Sequence, residues 1–209
     1  MPVAATGTQT FRQVSAGSSV TCWLGVDNLA YCAGSNGSSE LGAGFNGGAG
    51  ALSPSAVSGN LAFTRVFAGA NNGCGTRSDG AAWCWGRNGE GQLGDNSTVL
   101  RDAPVRVSGS VLFERVVPGS SHTCGLSTTG AASCWGSGSF IGTGTAVSVR
   151  VPVAVVGGHV FSEIALSFAH TCGRAADGIR CWGGNSSGET GDGTFTLRLT
   201  PGPVVVLPP

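Results

Sequence analysis

Eight cysteines in four pairs constrain this chain more than any other feature. The first members, Cys22, Cys74, Cys124 and Cys172, are 52, 50 and 48 residues apart, and the second members, Cys32, Cys84, Cys134 and Cys181, follow them after 10, 10, 10 and 9 residues. A glycine-rich segment runs on from each second cysteine. It is clearest in Cys84-Trp85-Gly86-Arg87-Asn88-Gly89-Glu90-Gly91-Gln92-Leu93-Gly94 and recurs more weakly from Cys32, Cys134 and Cys181. A period of about 50 residues means one structural unit written four times, each stacked on the next to share a continuous core. The 209 residues therefore read as a single domain, 1–209.

Within each unit the apolar signals are strand-sized. One is Pro-Val-x-Val or a relative of it: Pro2-Val3-Ala4-Ala5, Pro54-Ser55-Ala56-Val57, Pro104-Val105-Arg106-Val107, Pro152-Val153-Ala154-Val155 and a closing copy, Pro203-Val204-Val205-Val206. Proline is tolerated at the first residue of a strand, so these segments are expected to open a strand and to begin each unit. The next signal is Phe-x-x-Val or Phe-x-x-Ile, from Phe11 to Val14, Phe63 to Val66, Phe113 to Val116 and Phe161 to Ile164. Three apart on a strand, the two side chains point to opposite faces, and both faces are then expected to be buried. Two cysteine strands follow, joined by short turns at Val26-Asp27-Asn28, Ser78-Asp79-Gly80, Thr128-Thr129-Gly130 and Ala176-Asp177-Gly178.

Small sheets buried on both faces and stacked around an axis define the expected fold class: all-β, a β-propeller of about four blades with four strands each. The ring is a partial one, a four-bladed one, or half of a larger one. Repeats fall at about 11–62, 63–112, 113–160 and 161–209, with 2–10 and 201–209 supplying first-strand segments. Because strands alternate in direction, the turn before each first cysteine and the glycine-rich loop after each second cysteine emerge on one face. The hairpins and the turns before each phenylalanine emerge on the other.

Composition narrows the function. Thirty-seven glycines and only 11% charged residues fit short strands and many turns. Eleven basic against eleven acidic residues leave no net charge to draw the chain to nucleic acid or to an anionic membrane. No apolar run approaches the roughly 20 residues a spanning helix needs, so no membrane insertion is expected. The opening MPVAATGTQTF lacks the basic and apolar regions of a secretion signal, which implies a signal already removed or a chain cut from a longer one.

Directly opposed residues in an antiparallel pair bring Cβ atoms within disulfide reach, and a ten-residue separation leaves a short hairpin between them. The expected bonds are Cys22–Cys32, Cys74–Cys84, Cys124–Cys134 and Cys172–Cys181. The competing reading is zinc, since His122 and His170 each stand two residues before a cysteine. Structural zinc sites pair cysteines at closer spacing, and only two units carry the histidine, so no metal is expected. Disulfides imply an oxidising compartment, extracellular or periplasmic.

These residues resemble the regulator of chromosome condensation repeat in its bacterial, cysteine-bearing form. The matching pattern is A-G-x-x-H-T-C-x-L, then D-G, then C-W-G-x-N-x-x-G-x-L-G, then P-V-x-V and F; Gly119 to Gly142 carries its first part and Asp79 to Gly94 its second. The first unit departs with Val20 for the histidine and Ala33 for the tryptophan, the second with Asn72-Gly73 for His-Thr, and the third has a shortened loop. Propellers of the family usually have seven blades, where this chain encodes about four.

No enzyme motif fills the set of nucleophile, base and oxyanion donors, so no catalytic residue and no cofactor is expected. Glu114 and Glu163 read as solvated strand residues, and the glycine-rich loops lack the lysine of a phosphate cradle. Trp85, Trp135 and Trp182 read as packing between blades. The leading expectation is a non-catalytic binding module that presents its loop face to a protein partner, enzyme inhibition being one form the resemblance allows. The candidate face holds Asn71, Arg87, Asn88, Glu90, Phe140, Phe168 and Asn185, with the two phenylalanines as apolar anchors. A homodimer through exposed blade ends is the other partner expected. Two alternatives stand beside this one: nucleotide exchange on a small GTPase, which the resemblance implies, and glycan binding in repeated shallow pockets.

Overall fold

The computed structural model describes residues 9–45 and 47–205. Sixteen strands form four four-stranded antiparallel sheets, each drawn from one stretch of chain, and the described residues hold no α-helix. Blade 1 is β1 (Phe11–Ala16), β2 (Val20–Gly25), β3 (Ala30–Gly34) and β4 (Ala51–Ala56). Blade 2 is β5 (Arg65–Ala68), β6 (Asn72–Thr76), β7 (Ala82–Gly86) and β8 (Arg101–Arg106). Blade 3 is β9 (Arg115–Pro118), β10 (His122–Leu126), β11 (Ala132–Gly136) and β12 (Val149–Ala154). Blade 4 is β13 (Phe161–Leu166), β14 (His170–Ala175), β15 (Gly178–Gly183) and β16 (Arg198–Pro203). The innermost strands follow one another around the arc, β1 packing on β5, β5 on β9 and β9 on β13.

Two expectations about the strands are corrected. The proline strand closes its blade and does not open it: β12 pairs with β11, with Cys134 opposite Val153, and Pro54, Pro104 and Pro152 each sit at the fourth residue of a six-residue strand. These strands are the outer edges of their sheets, where a missing N–H breaks no ladder, so the proline is tolerated in mid-strand. In the last blade Cys181 faces Gly202, which makes Pro201 the counterpart of Pro152 and shifts the closing copy two residues from the proposed Pro203 start. The Pro2–Ala5 segment and Val206 lie outside the described residues.

The phenylalanine and the aliphatic residue three places on also share one face. A bulge between Phe11 and Gln13, and another between Phe161 and Glu163, inserts an extra residue and resets the alternation. Gly125 shows the result, since a Cβ there would meet both the Phe113 ring and Val116. Glycine at this position, as at Gly75 and Gly173, is what lets the ring lie flat on the sheet.

The core is correspondingly divided into one cluster per junction. Each blade turns a disulfide face forward and a phenylalanine face back: Cys22, Leu24, Cys32 and Leu41 of blade 1 meet Phe63, Val66 and Trp85 of blade 2. Cys74, Cys84 and Leu93 meet Phe113, Val116 and Trp135, and Cys124, Leu126 and Cys134 meet Phe161, Ile164 and Trp182. The linkers seal these seams, with the amides of Phe63, Phe113 and Phe161 donating to Asn28, Gly80 and Gly130 of the preceding hairpin.

All four expected disulfides are present, with Cα atoms 4.1 Å apart in each. The paired cysteines stand directly opposite each other in register, as Cys124 does to Cys134. Each closes a loop of about ten residues and contributes on the order of 2 kcal/mol.

Candidate functional site

The loop face forms as the strand directions require. The amides of Ser35, Arg87, Ser137 and Gly184, at the start of each glycine-rich loop, donate to the carbonyls of Ser19, Asn71, Ser121 and Ala169 in the turn before each first cysteine. The glycine closing each second-cysteine strand makes this possible: Gly86 and Gly136 have φ of 97° and 103°, and a Cβ would collide with the adjoining turn.

Asn88 is buried and organises its loop. Its Nδ2 donates to Asp95 Oδ1 at 3.0 Å, to Val99 O at 3.0 Å and to Ser97 O at 3.2 Å, while its Oδ1 accepts the Leu93 amide at 2.9 Å. Asn185 repeats this with Asp192, Thr194, Thr196 and the Thr190 amide. Arg101 closes the first set on Asp95 at 2.7 Å and Arg198 the second on Asp192 at 3.1 Å. Burial pushes the Asp95 carboxyl up, but the hydrogen bonds from Ser97, Arg101 and Asn88 outweigh it and hold it below its ordinary value. Asn88 and Asn185 therefore belong to the loop's interior and present no amide to a partner, because the carbonyls of a tight loop need an internal donor.

Phe140 is also turned inward, its ring centroid 5.7 Å from that of His122. His122 is fully buried, with Nε2 2.8 Å from Thr171 Oγ1 across the junction between blades 3 and 4 and no partner at Nδ1 among the described residues. Burial, with His170 adding to it, pushes its pKa down to about 3, so the ring is neutral at physiological pH. The described residues hold no cluster of three or more histidine, cysteine or acidic side chains able to bind a metal.

The remaining expected residues do lie at the surface. Arg87 and Glu90 are exposed, Asn71 is half-buried, and Phe168 is 73% exposed. Phe168 stands at the mouth of a cavity of about 280 Å³ where the four inner turns converge, among them Gly17, Gly69 and Gly119. Further apolar side chains on the same face went unmarked in the sequence: Phe45, Val99, Val147 and Phe195, the last 74% exposed. Their signal is a large apolar residue inside a run of glycine, serine and threonine, the criterion that picked out Phe168.

Together these features define a β-propeller-type repeat protein with one disulfide in every blade. The profile of the regulator of chromosome condensation (RCC1) repeat matches residues 79–126, and a second profile of the same repeat matches 63–92. Between them the two matches place RCC1-type repeat sequence over residues 63–126. No curated protein sequence matches it. Among solved structures, human WBSCR16 has a TM-score of 0.84 at 20% identity over 96% of this chain and 54% of its own. Yeast RCC1 (Prp20), solved bound to Kap60, has a TM-score of 0.82 at 19% identity over 95% of this chain and 49% of its own. Prp20p of Saccharomyces cerevisiae, solved in a study of its binding to Gsp1p and histones, has a TM-score of 0.82 at 20% identity. The chain spans about half the length of these proteins.

Proposed function

We propose that this chain is a non-catalytic protein-binding module, extracellular or periplasmic, whose loop face contacts the partner. The observation that carries the reading is the set of exposed aromatics Phe45, Phe168 and Phe195, joined by Val99 and Val147, on that face, where the hairpin face, among the described residues, exposes only the aliphatic Val26, Val111, Leu112 and Val160; they stand above loops organised internally by Asn88 and Asn185. Exposed aromatics on a preorganised backbone are the usual anchors of a protein interface, because little conformational freedom is lost when they dock. The fold relative Prp20 has protein partners, which supports the general class. Inhibition of an enzyme is one form the activity would take.

Four disulfides favour an oxidising compartment. Nucleotide exchange on a small GTPase rests on the fold relationship alone, and such GTPases lie in reducing compartments. Glycan binding lacks a repeated aromatic platform, since Trp85, Trp135 and Trp182 are fully buried.

The test is capture of partners from an extracellular protein library by immobilised chain, with Phe168→Asp/Phe195→Asp beside wild type and Val26→Asp, on the hairpin face, as the control. A partner retained by wild type and control but lost by the double variant supports the loop face. Partners that survive the double variant and vanish with Val26→Asp would move the site to the opposite face.

A further inference from the structure

Among the described residues four blades make three junctions, and two blade faces carry no blade of these residues against them: the phenylalanine face of blade 1 and the disulfide face of blade 4. On the first, Val14 is 63% exposed, while its junction counterparts Val66, Val116 and Ile164 are 0%, 0% and 5% exposed. Phe11 lies beside it with Trp23 and Tyr31, ring centroids 5.8 and 5.7 Å away, all three half-buried. On the second, Ala165 and Ile179 are exposed, and Cys172 is the one cysteine of the eight that is not fully buried.

The two faces depart from the junction pattern in matching ways. Inside the chain, Leu24 and Leu126 share a core with Phe63 and Phe161, whose rings lie over Gly75 and Gly173. At the ends, Arg174 holds the leucine position, facing Ile179 as Leu126 faces Ala132, and Trp23 holds the glycine position, facing Tyr31 as Gly75 faces Trp83. A guanidinium on one end and a half-exposed tryptophan on the other suit each other through cation–π contact, and they meet only if the two faces meet. Glu163 likewise stands where blade 1 has Gln13, whose Oε1 accepts the Val66 amide at 3.1 Å across the first junction. Its carboxylate is placed to accept the Val14 amide of a facing chain. Glu163 and Arg174 now pair with each other at 3.5 Å in the open, a contact weak enough to be exchanged.

The faces sit at opposite ends of an arc that matches about half the length of WBSCR16 and Prp20, so a second molecule can bring both pairs together. We propose that two copies of this chain associate head to tail, the disulfide face of blade 4 in each packing on the phenylalanine face of blade 1 in the other, to close one ring through two identical junctions. A heterologous contact used twice around a two-fold axis leaves no open face. The proposal is independent of the loop-face partner, since neither surface includes a loop-face anchor.

Light scattering on a size-exclusion column, non-reducing and over a range of concentrations, tests it. Wild type runs at twice the chain mass. Val14→Asp and Arg174→Glu each weaken the dimer about tenfold or more, by burying a charge among apolar groups or by setting an anion against an aromatic face. Both positions are exposed, and circular dichroism with a free-thiol count confirms that each variant folds. An equimolar mixture of the two variants recovers dimer, because a mixed ring keeps one intact junction. Dimerisation also slows reduction of Cys172–Cys181 relative to the monomer. A monomer at every concentration overturns the proposal and leaves the faces to a neighbouring segment of a longer chain. An open series of larger assemblies overturns ring closure, and a dimer indifferent to both substitutions places the contact elsewhere.

Discussion

The junction between blades 2 and 3 and the outer face of blade 1 use the same register positions and opposite residues. At the junction Trp135 lies buried against Phe113, centroids 5.7 Å apart, and its Nε1 donates to Gln92 O of the preceding loop at 2.9 Å. On the outer face of blade 1, with no preceding loop among the described residues, the position after the second cysteine is Ala33 and the glycine that makes room for the phenylalanine ring is Trp23. The C-W-G-x-N-x-x-G-x-L-G motif is therefore a junction code. Its tryptophan is used by the neighbouring blade's main chain, and its asparagine holds the loop that supplies the acceptor. Where the loop is shortened, as in blade 3, Trp182 Nε1 has no partner among the described residues.

The largest test of this contrast is Trp135→Ala. It opens a cavity in the junction and leaves Gln92 O with the Thr123 hydroxyl as its one remaining side-chain donor, and is expected to cost about 3–5 kcal/mol in chemical denaturation. Asn88→Ala follows, at about 2–3 kcal/mol, because several loop groups lose their donor together; proteolysis between Arg87 and Arg101 should speed up in step. An unchanged midpoint would mean that the loop is held by Asp95 and Arg101 alone.

A smaller, pH-dependent effect comes from His122. Its folded pKa of about 3 lies below the ordinary 6.5, so the unfolded chain binds the proton first. Stability is fully present above pH 6.5 and is lost as the pH falls toward 3, at a slope approaching about 1.4 kcal/mol per pH unit. Denaturation midpoints between pH 6.5 and 5, above the carboxylate range, should show that slope in wild type and lose it in His122→Asn, the residue blade 2 carries at this position as Asn72. The smallest effect belongs to Ala33→Trp, which restores the motif on a face with no loop to receive it. At concentrations where the chain is monomeric it should change stability by no more than about 0.5 kcal/mol.

Much of the fold was legible. Cysteine spacing, turn residues and the alternation of strand direction led to the hairpins, the disulfides and the common face of the two loop sets. The misreadings share one cause: a strand's partners are not written in its own residues. Pro152 reads the same at the start of one blade or the edge of another, and only its pairing with β11 distinguishes them. The bulge after Phe161 turns a three-residue spacing from opposite faces to one. The candidate face was legible as a face and less so by residue. Asn88, Asn185 and Phe140 look like surface residues because they sit in glycine-rich loops, yet the loop turns the two asparagines inward to satisfy its own carbonyls and lays the half-buried Phe140 ring on the buried His122.

What the amino-acid sequence determined by itself was local and periodic: four units, four cross-strand disulfides, all-β strands and no charge to recruit a polyanion. Those features follow from spacing along the chain, which any conformation must respect. The tertiary structure decided which face each residue joined and which junction it served. Such choices depend on what packs opposite, and for Val14 and Val66, two residues of the same type in the same register, that alone separates an exposed side chain from a buried one.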